Sequence, residues 1–445
     1  MISFAELGLP KEVCQVLAKD GINSPFPIQA AAIPDALNGR DILGRGPTGS
    51  GKTFTFGLPM LTLLAKHGHS IPGHPRGLVL APTRELATQI TERLEPCAAA
   101  LGLRLVEIVG GENIKAQIRR LAAPCDLMVA TPGRAIDLME RGNLILDKVQ
   151  VTALDEADHM ADMGFIPQVR KLLDRTPKDG QRLLFSATLD GDVDKLVRRY
   201  LHNPATHSTA AVEANVDTMK HYRLLVGGPE SRNRILIQIA GRLGRTIMFM
   251  RTKRGVDRQV KRLRAAGINA IGLHGDKGQG GRRNAIDGFT SGDIPVLVAT
   301  DIAARGIDIA GVDLVVHVDP PAEHKAYLHR AGRTARAGAS GVVVTCVMEN
   351  QVKDVEALMR KAGVDAPVVD VRNDPRALKK ITGAVAPSGI PLPPLGNKPA
   401  VAKDTGARRR QKKNPAWEHP RAQARSSKQD PRKKKRRVRV TRHEK

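Results

Sequence analysis

Apolar runs of a few residues recur through the first two hundred positions, at 42–45, 77–81, 103–109, 126–130, 149–154 and 182–185. They are continuous rather than alternating, the pattern of strands buried on both faces. Between them lie stretches whose apolar residues repeat at helical spacing. Strand and helix therefore alternate, which predicts a parallel sheet with helices on both faces. A second series follows at 221–226, 246–250, 268–273, 295–299, 313–319 and 341–347. The expected fold class is α/β, with two parallel-sheet domains in tandem. The run from Asn203 to about Lys220 is small and polar and reads as a flexible linker, with the domain boundary at 208 and the linker proper at 209–219. Ahead of the first strand, Phe4, Leu7, Val13, Val16 and Leu17 mark a helical opening. Pro25 and Pro27 then fix an extended turn that sets the direction of the Gln29 amide. The first domain is expected over 1–208 and the second over 220–372. Beyond Arg372 the pattern dissolves into a proline-rich spacer at 386–395, and 373–445 is expected to be a disordered tail.

Charge adds a partner to this picture. The formal net charge is +26, and residues 398–445 hold 19 Lys and Arg against 4 Asp and Glu, so +15 of it sits in the last 48 positions. A polyanion is the natural ligand, because each phosphate neutralised releases counterions. Aromatic residues make up only 3% of the chain, too few for extensive base-stacking platforms, so a nucleic-acid grip should act on the backbone with low sequence specificity. No apolar run approaches the roughly 20 residues that span a bilayer, and the opening residues lack the basic and apolar regions of a signal peptide, so no membrane association is expected. Cys14, Cys97, Cys125 and Cys346 are scattered with no Cys-x-x-Cys pair, which speaks against a zinc site or disulfide framework and for a reducing, cytoplasmic setting.

Two segments carry chemistry. The strand at 42–45 runs into Gly46-Pro47-Thr48-Gly49-Ser50-Gly51-Lys52-Thr53 and then an apolar helix, the strand–loop–helix context of a G-x-x-x-x-G-K-T phosphate loop. Glycines there let backbone N–H groups point at phosphate oxygens. Lys52 can reach the β- and γ-phosphates, and the Thr53 hydroxyl can ligate Mg²⁺. The strand at 149–154 ends in Asp155-Glu156-Ala157-Asp158. Carboxylates crowded at a strand tip repel unless a cation sits among them, although an acidic turn alone would look the same. The loops after successive parallel strands gather on one edge of a sheet. That edge should therefore collect Pro82-Thr83-Arg84-Glu85, Gly110-Gly111, Thr131-Pro132-Gly133-Arg134 and Ser186-Ala187-Thr188. Their hydroxyls, glycine amides and arginines suit a phosphodiester backbone. The second series has no G-x-x-x-x-G-K; the place after 246–250 carries Arg251-Thr252-Lys253-Arg254-Gly255 instead. That domain must serve the first domain's site or another ligand.

Taken in order, residues 21–29, 46–53, 82–87, 131–134, Asp155-Glu156-Ala157-Asp158 and Ser186-Ala187-Thr188 resemble the motifs of the DEAD-box ATP-dependent RNA helicases. So do His274–Gln279 with Arg282, Thr300–Asp308 and His329-Arg330-Ala331-Gly332-Arg333-Thr334-Ala335-Arg336, and the likeness covers roughly residues 4–350. It implies two RecA-like domains, ATP and Mg²⁺ as cofactors, and RNA as partner. By the same resemblance, Phe4, Gln29, 46–53 and Asp308 would bind ATP, with Asp155 and Thr53 at the metal. Glu156 would activate the attacking water, and Arg333 and Arg336 would be arginine fingers. Asp158, Ser186, Thr188 and His329 would couple the site to RNA held by Pro82, Thr83, Arg84, Gly111, Thr131, Pro132, Gly133, Arg134, Thr300 and Arg305. The implied activity is RNA-dependent ATP hydrolysis coupled to local unwinding or remodelling. Two other readings are an ATP-gated RNA clamp without unwinding and a DNA-directed helicase. A monomer is expected, and ribosome-assembly or RNA-decay proteins are compatible partners. Gly46, Phe26, Ile22, Ala331 and Ala335 depart from the usual residues of the pattern.

Overall fold

The structure, a computed structural model, describes residues 2–46, 50–66, 68–189, 191–208, 219–304, 311–335 and 341–393. The first domain is a seven-stranded sheet of β1 (Ile42–Arg45), β2 (Gly77–Leu80), β3 (Leu105–Ile108), β4 (Leu127–Ala130), β5 (Val151–Leu154), β6 (Gln181–Ser186) and β7 (Ala205–Ser208), in the order β3-β4-β2-β5-β6-β1-β7. The second comprises β8 (Met219–Leu225), β9 (Thr246–Phe249), β10 (Ala270–Leu273), β11 (Val296–Ala299), β12 (Leu314–His317), β13 (Gly341–Val347) and β14 (Val368–Asp370), in the order β10-β11-β9-β12-β13-β8-β14. Adding seven to each strand number of the first sheet gives the second, so one topology is used twice. All pairings are parallel; Leu80, for example, lies opposite both Ala130 and Leu154. β2, β4 and β5 are buried along their whole length, as continuous apolar runs require.

Each sheet is covered on both faces. Phe56, Leu61, Leu94 and Phe185 belong to the core on one face of the first sheet, and Leu78, Met128, Leu154 and Leu184 to that on the other. Burial of such a side chain contributes about 1.5–3 kcal/mol. Because every strand points the same way, the loops after β1, β2, β4, β5 and β6 leave from one edge, and that edge holds the site.

Three expectations are corrected. Residues 205–208 form a strand, not linker: β7 pairs with β1, Ile42 opposite Ala205, and His207 Nε2 lies 2.9 Å from Asp35 Oδ2. A short, half-exposed edge strand of Ala, Thr, His and Ser has no apolar signature. The counterpart of the phosphate loop is also not the turn after β9, which matches the one after β2. It is the turn after β8, Val226-Gly227-Gly228, which carries no lysine. Finally, the second domain continues past Arg372. Pro375–Thr382 is a helix, with the Asp374 carboxylate accepting from Arg376 N and Ala377 N, and it buries Leu378 and Thr382. The spacer after it stays attached: Val385 N donates to Gln238 O (3.0 Å), Gly389 N to Ala266 O (3.1 Å) and Leu392 N to Arg264 O (2.9 Å). Backbone hydrogen bonds, which do not depend on side-chain type, hold this segment, so composition did not reveal it.

Candidate functional site

The helix Lys52–Lys66 begins at the carboxyl end of β1. Lys52 is buried and its Nζ donates to Gly46 O at 2.9 Å, closing the loop on itself. Gly51 has φ +89°, and a Cβ there would stand 2.7 Å from Gln29 Nε2 and 2.8 Å from Phe26 Cδ2, so only glycine fits. Gln29 explains that crowding. Its Nε2 donates to Gly51 O (3.0 Å) and its Oε1 accepts from Phe26 N (2.8 Å), which locks the turn at 21–29 onto the loop. Each end of the amide keeps one more hydrogen-bonding site for a base edge. Phe4 corrects the sequence expectation: it is buried in the first domain's core with Leu7, Val13 and Leu17. The ring beside the loop is Phe26, which is 53% exposed. Its aromatic character within a proline-flanked turn was the available signal. Ser50 and Thr53 are half-buried at the helix start, whereas Pro47, Thr48 and Gly49 lie outside the described residues.

At the tip of β5, Asp155 and Glu156 are both buried. Burial pushes the Asp155 carboxyl up to about 6 despite the Lys52 charge, and Glu156 and Asp158 add to the rise. Glu156 goes the opposite way. Burial alone would raise it, but a hydrogen bond from His159 and the charges of His159, Lys52 and Arg333 hold it well below the carboxylate range. Glu156 also takes a left-handed conformation, φ +52° and ψ +54°, a strain of about 1–3 kcal/mol of the kind found at functional sites. His159 Nδ1 lies 3.2 Å from Glu156 Oε2, and its Nε2 has no partner among the described residues. His159 was not anticipated; a histidine three residues after a glutamate at a helix start was the clue.

The donor set at Asp155, one buried carboxylate plus the Thr53 hydroxyl, suits an ion such as Mg²⁺ that keeps waters and phosphate oxygens as its other ligands. The buried charge of Asp155 is one that such an ion would complement. Without it, the raised pKa is a stability cost. The unfolded value of 3.8 lies below the folded one, so the penalty is full above about pH 6 and vanishes below about pH 4. Asp155→Asn should therefore raise the thermal midpoint of the nucleotide-free protein at pH 8, by the equivalent of about 3 kcal/mol, and the gain should shrink toward pH 5. Thermal unfolding of both proteins across that range is the check.

Asp158 is tied to the neighbouring turn and to the second domain. Its N–H donates to Ser186 Oγ (3.2 Å), Thr188 Oγ1 donates to its Oδ2 (3.5 Å), and His329 Nε2 lies 3.9 Å from Oδ2. The structure thus brings these four residues together. Arg333, on the turn after the helix His324–Ala331, is buried, and its charge reaches Glu156. Ala335 beside it has φ +54°, a conformation in which glycine would be unstrained. Arg330 clamps the helix to the turn after β11: its Nη2 donates to Asp301 Oδ2 (2.7 Å), its Nη1 to Asp319 O (2.8 Å), and the guanidinium lies 5.2 Å from the Phe249 ring centre. Arg305, Asp308 and Arg336 lie outside the described residues.

The remaining turns line a cavity of about 400 Å³ that both domains share, with Pro82, Thr83, Arg84, Thr131, Gly133 and Arg134 on one side and Gly275, Lys277, Arg282 and Ile302 on the other. Thr300, at the end of β11, is buried next to Ile302 and Pro132 starts the helix Pro132–Glu140. Several of these side chains already have work inside the chain. Thr83 Oγ1 accepts from Leu86 N (3.2 Å) as a helix cap, and Thr131 Oγ1 accepts from Gly110 N (3.3 Å). Arg134 Nη1 donates to Gln117 Oε1 (2.9 Å) and to Glu112 O, so this arginine holds the Gly110-Gly111 turn in place. Gly111 has φ +77°, and a Cβ there would overlap the Arg84 guanidinium. Across the domains, Arg282 Nε donates to Glu85 Oε1 at 2.6 Å, both side chains largely buried. Removing one partner of such a pair typically costs 3–5 kcal/mol.

The chain is similar to known proteins in sequence and in fold. The family model described as DEAD/DEAH box helicase matches residues 26–196, and that described as Helicase conserved C-terminal domain matches 231–338. The chain is 39% identical over 363 residues to the DEAD-box ATP-dependent RNA helicase CshA of Geobacillus kaustophilus, a match covering 81% of this chain and 76% of that protein. It is also 39% identical to the ATP-dependent RNA helicase DBP2 of Debaryomyces hansenii, over 84% of this chain and 72% of that one. Among solved structures, S. cerevisiae Dbp5 bound to RNA and ADP BeF3 superposes with a TM-score of 0.76 at 31% identity, over 86% of this chain and 98% of the other.

Proposed function

The chain belongs to the DEAD-box ATP-dependent RNA helicases, and we propose that it couples ATP hydrolysis to local separation or remodelling of RNA across its two domains. The observation that carries the reading is a buried charged cluster to which both domains contribute: Lys52, Asp155 and Glu156 come from the first, and the charge of Arg333 arrives from the second. Lys52 and the backbone of 46–53 hold the phosphates, and Gln29 with Phe26 faces the base. Thr53 and Asp155 would hold Mg²⁺, which supplies charge neutralisation at the phosphates. Glu156 orients the attacking water and takes its proton.

A carboxylate held so far below its ordinary range is a weak base, but two of the cations that depress it are Lys52 and Arg333. Once phosphate oxygens engage those cations, Glu156 recovers basicity where it is needed. Arg333 then meets the charge that develops on the transferring phosphoryl group. Arg336 would assist it and Asp308 would contact the ribose, both by motif position. RNA laid along the shared cavity favours closure through Thr83, Arg84, Gly111, Thr131, Gly133, Arg134, Thr300 and Arg305. Asp158, bonded to Ser186 and Thr188 and next to His329, relays the state of the phosphate site to that grip.

The clamp and DNA readings differ from this one in what they do to duplexes. The full chain with ATP should displace a strand from a short RNA duplex, and ADP should not support the reaction. A strand-displacement gel would read it; RNA binding without displacement would favour the clamp. Among the described residues no helix is long and apolar enough to cross a membrane. On this reading the chain acts in the cytoplasm, as a monomer; its four cysteines are unpaired. Ribosome-assembly or RNA-decay proteins are the partners such an activity would serve, with the basic segment 398–445 adding a sequence-independent grip on RNA.

A further inference from the structure

The helix Lys253–Ala265 buries Val256, Gln259, Val260 and Leu263 against its sheet. Its opposite face presents Arg254, Arg258, Lys261 and Arg262, all exposed. At 100° per residue these four fall within about a quarter of the helix circumference, a stripe about 12 Å long. Arg262 Nη1 donates to Asn233 Oδ1 (3.0 Å), and Arg254, Arg258 and Lys261 have no hydrogen bond or ion pair among the described residues. The helix's one acid, Asp257, is already engaged, by His274 Nε2 at 3.0 Å and Lys277 Nζ at 3.5 Å. Like charges at i, i+4 destabilise a helix, so folding alone gives no reason for the stripe.

We propose that this face is a second RNA-backbone track, which takes up the strand where it leaves the cavity shared by the domains; the inference rests on the RNA reading above. Continuity supports it. The stripe starts in the first turn after β9, at the same sheet edge that brings Gly275, Lys277 and Ile302 to the cavity. Its far end lies by Arg264, whose Nη2 donates to Pro393 O (2.7 Å), shortly before the densely basic residues 398–445 in the chain. Composition favours phosphates over an acidic protein. The face between the cations offers only Ala265, with none of the aromatic or aliphatic anchors that protein interfaces use.

The test compares the full chain with a variant carrying Arg254→Gln, Arg258→Gln and Lys261→Gln, which keeps helix propensity. Binding is measured against salt, with a non-hydrolysable ATP analogue, for a short oligouridylate that the cavity alone can hold and for a long one. Short-RNA affinity should be unchanged. Long-RNA affinity should fall, and its log–log salt slope should become shallower by about 2, or by about 0.7 for Arg258→Gln alone. A long-RNA slope equal to that of the parent protein would reduce the stripe to a solvated face. Equal loss for both RNAs would make it part of a general field rather than a track. A parent protein that binds neither RNA would overturn the RNA reading and this inference with it.

Discussion

Glu156→Gln should lower ATP turnover by about 10²–10⁴-fold while ATP and RNA still bind. The amide keeps the size of the side chain and can still accept from His159 Nδ1, 3.2 Å from Oε2 in the parent, so the strained turn at φ +52° has little reason to relax. What disappears is the group that takes the proton. Nucleotide affinity should hold or rise, because one buried negative charge near the phosphates is gone. Single-turnover hydrolysis with saturating RNA, beside equilibrium binding of a labelled nucleotide, separates the two effects. Normal turnover would remove Glu156 from the role of base.

Arg333→Ala should cost about 10³–10⁵ in RNA-stimulated turnover, the range for loss of an arginine finger. The diagnostic is a split between two rates. Hydrolysis without RNA, which does not depend on a closed site, should change little, whereas the stimulated rate should collapse toward it. Arg333→Lys should recover little, since an ammonium cannot present the planar fork of a guanidinium. A stimulated rate within tenfold of the parent protein would mean that Arg333 does not meet the transferring phosphoryl group. Its charge at Glu156 would then be a ground-state effect only.

Long apolar strands and glycine-rich turns were legible in the sequence because their physics is local. The continuous apolar run Val151–Leu154 reads as a buried strand, and the G-x-x-x-x-G-K-T spacing marks a phosphate loop, without reference to what surrounds either. β7 was not legible: Ala205–Ser208 is a strand only because β1 offers it an edge. The helix Pro375–Thr382 is likewise amphipathic and short, anchored by Leu378 alone among its fully buried apolar residues. At the site, Lys52, Asp155, Glu156 and Asp158 could be read from their spacing. The residues that set their chemistry could not, because His159, Phe26 and the Glu85–Arg282 pair act through contacts that only the fold creates. Phe4 shows the converse, since an aromatic at the expected position turned out to be core.

The central claim, that nucleotide chemistry is gated by RNA across two domains, meets its most direct test in steady-state ATP hydrolysis by the full chain with no nucleic acid, with single-stranded RNA and with single-stranded DNA of the same sequence. RNA should raise turnover by about 10³-fold or more, the least that the loss expected for Arg333→Ala requires, and DNA should leave it near the unstimulated level. Turnover that ignores RNA, or responds equally to DNA, would contradict the account.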